Sequence, residues 1–417
     1  MAADKKYIMY LTGQHPSPPS DPAMVKDITH VALSFLSPGA FNNATANATT
    51  ADAYGLFTSV DKVRGQFAQG TKVMVAIGGW GDTEGFSEAA RNESSRKRWA
   101  ENVKGMVEGL GVDGVDIDWE YPGGNGEDYK QTPNSQKAWE IAAYPKLLSE
   151  LRSALGPDKL LSAAVPGRTQ DMLAFTPDTL PAILPSIDFL NIMTYDLMNR
   201  RDGTTRHHTG LALSLRAVNA YLDAGLPAEK ANLGFAFYVR WFKTDPEKGG
   251  CDKEPLGCGT VVMEDPETGA DLGKAGAFAW NDEVPEELKA SFQRAKDGGK
   301  YDEYRPADEL EVDGPGTGGY YYWDKEENIF WSWDTAQAIE KKMAPIVGDK
   351  KLGGVFAWEL GGDGPGFEHL KALTEGVKAL EGDGKEGLGN GKGMMLDTLV
   401  FYSVVLGVGG WLVRGLW

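Results

Sequence analysis

The sequence contains little cysteine, little histidine and little positive charge. Two cysteines and five histidines occur in 417 residues, and 42 Lys and Arg residues stand against 60 Asp and Glu residues, for a net charge of −18. Nucleic-acid binding requires a basic surface, so this balance argues against a nucleic-acid partner and disfavours an anionic membrane surface. A neutral substrate is compatible with it.

The cysteines and histidines form no familiar metal-binding pattern. Cys251 and Cys258 have six residues between them, without the C-x₂-C spacing of metal sites and without a nearby histidine. This spacing favours a local disulfide, with free thiols as the alternative. His207 and His208 could suggest a metal pair, but adjacent side chains rarely point the same way, so we expect a structural role in a loop. We therefore expect neither a metal nor a cofactor.

The two ends of the chain bear on its location. The first residues lack the charged segment and the long apolar core of a secretory leader. Residues 379–397 are typical of a Gly-rich polar linker, and residues 398–417 form an apolar tail about one membrane thickness long. Together they predict a membrane-directed segment, either a lipid-anchor signal or a spanning helix, although Arg414 weakens both interpretations. A packed or disordered extension is the alternative.

Three N-x-[ST] sequons modestly favour a secreted chain, although single sequons also arise by chance. With the apolar tail they predict an extracellular or cell-surface protein, which we expect to be a monomer. The sequons begin at Asn43, Asn47 and Asn92.

The apolar pattern predicts a barrel. Short β-branched apolar runs alternate with longer amphipathic segments, and continuous apolar runs are typical of parallel strands that are buried on both faces. Eight such units predict an α/β fold, the (β/α)₈ TIM barrel. The predicted strands cover residues 6–13, 29–36, 72–79, 112–120, 159–167, 187–196, 232–239 and 352–360.

The connection between the seventh and eighth strands is too long for a loop. Its last part, residues 333–348, has the pattern of the seventh helix, whereas residues 243–330 contain both cysteines and alternating aromatic runs. A structureless segment of that length is improbable in a compact domain. The sequence therefore predicts a small α+β insertion over 243–330, between strand 7 and helix 7 of a barrel made of residues 1–242 and 331–378.

The stretch "DGVDIDWEYP" places acids inside a predicted strand. Asp116, Asp118 and Glu120 alternate with apolar residues, so all three should point into the barrel, with Glu120 last at the carboxyl-terminal mouth. Three like charges cannot all ionise cheaply, so their pKa values should separate and allow Glu120 to donate a proton near neutral pH. Asp113 is out of phase and is expected to be structural. An EF-hand calcium loop is excluded because its ligand spacing and its glycine are absent, whereas a divalent ion held by the acids remains an alternative.

These residues also carry a resemblance to a known family. "DGVDIDWE" resembles the D-x-x-D-x-D-x-E signature of glycoside hydrolase family 18, the chitinases and their relatives. The resemblance extends over residues 5–375, because four other predicted strand ends are similar to family motifs. These are "AIGGW" (76–80), "NIMTYD" (191–196), "FAFYVRWF" (235–242) and "FAWEL" (356–360).

The resemblance implies a retaining, substrate-assisted hydrolysis of β-1,4-linked N-acetylglucosamine polymers. Glu120 would protonate the glycosidic oxygen, and Asp118 would hydrogen-bond the acetamido N–H. Asp116 would share a proton with Asp118, and Tyr195 would orient the acetamido carbonyl. The alternatives are an endo-β-N-acetylglucosaminidase acting on N-glycans and a non-catalytic chitin-binding lectin.

The resemblance further implies a set of substrate-binding residues. Trp358 would form the floor under the sugar at the scissile bond, and Trp80 would border the leaving-group side, because aromatic rings stack on the apolar faces of sugars. Packing inside the barrel is the competing explanation for each aromatic residue. Gly78 and Gly79 are expected to be structural. The remaining candidates are Asp196, Met193, Tyr238, Arg240, Phe35 and Tyr10.

One position departs from the family pattern. Ala76 stands where the family motif has a serine, whose hydroxyl helps to stabilise the innermost acid together with a strand-one tyrosine, here Tyr10. Losing one hydrogen bond to a carboxylate costs on the order of 1–3 kcal/mol. We therefore expect Asp116 to hold its proton more tightly than in the relatives.

Overall fold

The computed structural model describes residues 5–43, 54–248, 250–306 and 314–386. Eight parallel strands close into a barrel in the ring order β1-β13-β7-β6-β5-β4-β3-β2, which confirms the predicted TIM barrel. The barrel strands are β1 (Lys6–Thr12), β2 (His30–Leu36), β3 (Lys72–Gly78), β4 (Gly114–Asp118), β5 (Leu160–Pro166), β6 (Phe189–Met193), β7 (Ala231–Ala236) and β13 (Gly354–Trp358).

Helices surround the barrel, and a large apolar layer lies between the strands and the helices. A smaller apolar cluster fills the barrel interior, where Met74, Phe189 and Phe356 are buried. The α-helices cover Pro22–Val25, Val60–Gln66, Glu84–Ala90, Glu93–Leu110, Asn134–Leu155, Leu180–Ile183, Leu211–Asp223, Lys289–Gly298, Ala336–Lys342 and Glu368–Glu386.

The helix before β4 shows how local sequence sets the element boundaries. Asn92 caps the start of Glu93–Leu110, because its side chain accepts a hydrogen bond from the Ser95 backbone N–H. Gly111 ends the helix with a φ of 66°, a left-handed conformation that favours glycine. The chain then turns directly into the strand that carries the acids.

Between β7 and β13 the chain forms an antiparallel sheet in the order β10-β11-β12-β8-β9. A helix, Lys289–Gly298, packs with this sheet, and Cys251 and Cys258 are joined by a disulfide. The sheet consists of β8 (Tyr238–Lys243), β9 (Ala275–Ala279), β10 (Lys300–Asp302), β11 (Gly319–Asp324) and β12 (Ile329–Trp333).

The inserted sheet starts earlier and ends later than the predicted segment 243–330. Its first strand begins at Tyr238, inside the predicted strand 232–239, and its last strand ends at Trp333. The apolar run continues from β7 into β8, so hydrophobic pattern alone could not reveal the break between them. The predicted seventh helix at 333–348 is the helix Ala336–Lys342, followed by a π-helical turn.

The last helix, Glu368–Glu386, enters the segment 379–397 that was predicted as a linker. The rest of that segment, the tail 398–417 and the Asn47 sequon lie outside the described residues. Within the described residues, no helix has the length and apolar character needed to cross a membrane.

Candidate active site

The acids of β4 lie in the barrel interior and at its mouth. Asp116 and Asp118 are 1% and 4% exposed, and Glu120 follows at the carboxyl end of the strand, where it lines a cleft. The apolar residues between them, Val115, Ile117 and Trp119, belong to the outer apolar layer. The alternation of side chains therefore separates the acids from the helix-facing core.

Asp116 is held by neutral donors from three other strands. The Tyr10 hydroxyl donates to its Oδ2 at 2.7 Å, the Ser162 hydroxyl donates to its Oδ1 at 2.5 Å, and Asn191 Nδ2 lies 3.4 Å from the same Oδ1. Burial raises the pKa of Asp116, and these three hydrogen bonds oppose that rise. Within the part of the chain that the structure describes, the acid at the base of the row is thus anchored without a cationic partner.

The Ser162 hydroxyl, on the other side of Asp116, takes the place of the serine hydroxyl that is missing at position 76. Ala76 on β3 and Ser162 on β5 are the two register neighbours of Asp116. The expected gap beneath the acids is therefore filled by Ser162, which sequence reasoning missed along with Asn191. Both are polar residues inside otherwise apolar strand segments, and this was the available signal.

We expect Ser162→Ala to lower kcat/KM of any reaction catalysed at this site by about tenfold, because an unsatisfied buried acceptor costs roughly 1–3 kcal/mol. Adding Ala76→Ser to Ser162→Ala should restore most of the rate, since position 76 flanks Asp116 in the neighbouring strand. Steady-state kinetics and pH profiles of both variants and of Ala76→Ser alone test this. An unchanged rate and pH profile for Ser162→Ala would contradict the assignment.

Asp118 and Glu120 are the acids whose protonation is most altered. Burial, followed by the charges of Glu120 and Asp116, raises the pKa of Asp118 well above its usual range. Burial is also the main cause that raises the pKa of Glu120 to about 7. Asp118 Oδ1 is buried and has no hydrogen-bond partner among the described residues. Near neutral pH, Glu120 can therefore exist as a proton donor.

Asp196, which follows β6, is an ionised acid on the same cleft. Its Oδ1 accepts a 2.6 Å hydrogen bond from the Tyr238 hydroxyl and lies 3.2 Å from Arg240 Nε. Burial alone would raise the pKa of Asp196, but Arg240, His208 and Tyr238 lower it to about 2. Tyr238 and Arg240 line the cleft as well, but they lie on β8 of the inserted sheet and not on strand seven.

The two adjacent histidines point to different partners. His208 Nδ1 lies 3.6 Å from Asp196 Oδ1 and accepts the Asp196 backbone N–H at 3.4 Å. His207 Nε2 instead lies 3.4 Å from Asp302 Oδ2 on β10. His208 thus supports the site through Asp196, a contact that the sequence did not indicate.

Tyr195 and Met193 complete the wall at the end of β6, and both line the cleft. Burial and the charges of Asp118 and Glu120 raise the pKa of Tyr195 well above its usual value, so its hydroxyl stays protonated. A neutral phenol in this position can donate a hydrogen bond to a carbonyl oxygen.

Aromatic rings form the floor and one edge of the cleft. Trp358, at the end of β13, stacks on Phe35 with ring centroids 5.3 Å apart and an interplanar angle of 21°. Trp80 is 48% exposed and lies beside Tyr121, with the Arg201 guanidinium 5.5 Å from its ring. These exposed faces are suited to the apolar faces of sugar rings.

Tyr10 does not line the cleft with the other predicted binding residues. It is 1% exposed, and its hydroxyl is directed to Asp116. Its placement therefore fits the role of supporting Asp116 and does not fit direct contact with substrate.

The residues predicted to be structural have clear packing roles. Gly78 has a φ of 109°, and a Cβ there would lie 2.1 Å from the Asp118 backbone oxygen. A Cβ at Gly79 would lie 2.8 Å from the Phe35 ring. Asp113 Oδ2 accepts hydrogen bonds from the Val73 backbone N–H at 2.8 Å and from Arg64 at 2.9 Å. These contacts fix the spacing of β3, β4 and β2 around the acids.

Asp118, Glu120, the aromatic rings and the inserted sheet share one cleft with a volume of about 610 Å³. A parallel barrel with an acid of raised pKa at its carboxyl mouth and a tryptophan beside it is the arrangement expected of a barrel glycoside hydrolase. Residues 6–363 match the family model described as "Glycosyl hydrolases family 18", and the chain belongs to this family. The membership predicted from the acid motif is confirmed.

Individual relatives are distant. Chitinase 1 of Aphanocladium album is 27% identical over 377 residues, covering 82% of this chain and 78% of that protein. Chitinase A1 of Niallia circulans is 29% identical over 314 residues, covering 70% of this chain but only 40% of its own length. A chitinase structure from Rhizomucor miehei has a TM-score of 0.65 at 21% identity, covering 90% and 100% of the two chains, a likeness of fold.

Proposed function

We propose that the protein hydrolyses β-1,4-linked N-acetylglucosamine polymers by a retaining, substrate-assisted mechanism. The observation that carries the proposal is the pairing of Glu120, whose pKa is raised to about 7, with the buried and unpartnered oxygen of Asp118. One group can donate a proton at the mouth of the barrel, and the other can accept a hydrogen bond beside it.

In the proposed first step, Glu120 gives its proton to the glycosidic oxygen as the bond from that oxygen to C1 breaks. The carbonyl oxygen of the substrate's own 2-acetamido group attacks C1 and forms an oxazolinium ion. Asp118 accepts the acetamido N–H, and Tyr195 donates to the oxygen that attacks. The proton on Tyr195 is retained because burial raises the pKa of that phenol.

In the second step, the Glu120 carboxylate takes a proton from water while the water oxygen attacks C1. The bond from C1 to the acetamido oxygen breaks, so the sugar is released with the configuration it had before. Asp116, held by three neutral donors, shares a proton with Asp118 and tunes it. Neither step needs a second nucleophilic carboxylate.

The shape of the cleft supports a linear polymer as substrate. Residues of β9 in the inserted sheet line the cleft together with Trp358, so the insertion deepens it on one side. An endo-β-N-acetylglucosaminidase acting on N-glycans is the second enzymatic candidate. A chitin-binding lectin is less well supported, because Glu120, Asp118, Asp116 and Tyr195 are all present.

We also propose an extracellular or cell-surface location. The disulfide between Cys251 and Cys258 supports it, because such bonds persist mainly in oxidising compartments.

Hydrolysis of N-acetylchitooligosaccharides, followed by proton NMR, tests the proposal. We expect the β-anomer to appear first, and we expect no cleavage where the sugar at the scissile bond lacks its N-acetyl group. A high-mannose glycopeptide is the matched comparison. Cleavage of the glycopeptide alone would favour the second enzyme class, and binding of chitin without any cleavage would favour the lectin.

A further inference from the structure

His15 links the barrel to the inserted sheet at one end of the cleft. It follows β1, and its Nδ1 lies 2.6 Å from Glu359 Oε1, directly after β13. Its Nε2 lies 2.9 Å from Asp282 Oδ1, in the turn after β9. We call this chain of three side chains the His15 bridge. None of its members was singled out by the sequence.

The His15 bridge lies across the cleft from Trp80. In the ring of eight strands, β13 stands opposite β4, and Trp80 packs beside Tyr121, which follows β4. Glu359 is adjacent in sequence to Trp358, and all three bridge residues line the same cleft as the acids. The bridge therefore borders the sugars on the side of Trp358 that is distant from the leaving group.

The bridge fixes the position of the turn Ala279–Asp282. Asp282 Oδ2 accepts the Ala279 backbone N–H at 2.8 Å, while its other oxygen faces His15. Asn281 donates to the backbone oxygens of Gly361 and Gly362 at 3.2 and 3.1 Å. The turn is thus attached to the loop after β13 by the hydrogen bonds of Asn281 and, through His15, by the contacts between Asp282 and Glu359.

His15 lies between the two carboxylates of the bridge, so the charge of the bridge depends on the protonation of its ring. The charged groups that face its ring are Glu359, from the loop after β13, and Asp282, from the turn after β9; on β1 its neighbour is the Thr12 hydroxyl. Burial opposes protonation, but the hydrogen bonds to both carboxylates raise the pKa of His15. Asp282 remains 41% exposed, so it can accept further hydrogen bonds from the cleft.

We propose that the His15 bridge is a sugar-binding end of the cleft, in which the exposed Asp282 accepts hydroxyl groups of the units beyond Trp358, while His15 and the buried Glu359 are the positioning residues. Carboxylate acceptors form strong hydrogen bonds with hydroxyl donors. The inference rests on the proposed function, and it assigns the preference for substrate chain length to these three residues.

Fluorogenic glycosides with one, two and three N-acetylglucosamine units test the inference. For His15→Ala, we expect KM for the two- and three-unit substrates to rise about tenfold, with kcat changed less than twofold and the one-unit substrate unaffected. Glu283→Gln is the matched control, because this carboxylate in the same turn pairs with Lys289 and is 88% exposed. Its kinetics should match those of the wild type.

The pH dependence provides a second readout. Because the pKa of His15 is raised in the folded protein, the bridge is complete at pH values below that pKa and is lost as the pH rises through it. KM for the longer substrates should increase over that range in the wild type and should be flat in His15→Ala. Equal changes for all three substrates, or none for any, would overturn the inference.

Calorimetric binding separates this inference from the proposed reaction. N-acetylchitotriose is titrated into Glu120→Gln with and without His15→Ala, and Asp282→Asn replaces His15→Ala if the latter does not fold. A roughly tenfold weaker dissociation constant supports the bridge even if the wild type cleaves nothing. Unchanged binding rejects the bridge even if the wild type is fully active.

Discussion

Glu120→Gln is expected to lower kcat for N-acetylchitooligosaccharides by about 10²–10⁴-fold, the usual contribution of a positioned general acid. Glutamine is close to isosteric with glutamate but cannot transfer the proton. The loss in kcat/KM should be much smaller for an aryl glycoside with a strongly acidic leaving group, because kcat/KM reports the first step and that bond needs little protonation to break. Steady-state kinetics on both kinds of substrate measure the difference.

The pH profile of the wild type tests independently whether Glu120 is the proton donor. With the pKa of Glu120 raised to about 7, the protonated donor is present below that pH and is lost above it. The alkaline limb of kcat/KM should therefore fall with a midpoint near 7 and should disappear in Glu120→Gln. Glu127→Gln, an exposed glutamate in the loop that follows, is the control. If Glu120→Gln retained the full rate, another group would have to supply the proton.

Asp118→Asn is expected to reduce activity by about 10²-fold or more while making the protein more stable. The activity is lost because a preorganised group that stabilises developing charge is replaced by a neutral one. Stability increases because Asp118 is buried between two acids with one oxygen unpartnered, and desolvating such a group costs roughly 1–3 kcal/mol. Natural enzymes commonly lose stability at such sites.

The stability gain should depend on pH in a defined direction. The folded-state pKa of Asp118 is raised, so its ionisation costs stability above its unfolded value, and the cost vanishes once both states are protonated. Thermal unfolding should thus show a higher Tm for Asp118→Asn at pH 8 and little difference near pH 4. Asp113→Asn is the control, since it removes the ion pair with Arg64 and should not raise Tm. A lower Tm for Asp118→Asn at pH 8 would contradict the account.

The barrel and the acid row were predictable because both depend on short-range periodicity. The apolar runs located all eight barrel strands, and alternation within one strand separated Asp116 from Ile117. The hydrogen bond from Ser162 was not predictable in the same way, because it depends on the register between β4 and β5. A small polar residue in an apolar strand signals only that some partner exists.

The contacts that depend on distant segments were also missed. Arg240 was expected in the barrel segment that ends at residue 242, but an unbroken apolar sequence hides the point at which the chain leaves β7 for β8. His15 and Asp282 are 267 residues apart, so no local pattern connects them. Long-range pairs of single polar residues carry almost no periodic signal.

Because β8 begins at Tyr238, residues of the inserted sheet form part of the site, and the barrel is not an independent module. The two groups that most directly hold Asp196, the Tyr238 hydroxyl and the Arg240 guanidinium, belong to the inserted sheet and not to the barrel. A barrel excised or recombined at the end of β7 would keep every acid of β4 but would leave Asp196 without its hydroxyl donor and its cation. A replacement insertion in this chain must therefore supply both groups if Asp196 is to keep its hydrogen bond and its ion pair.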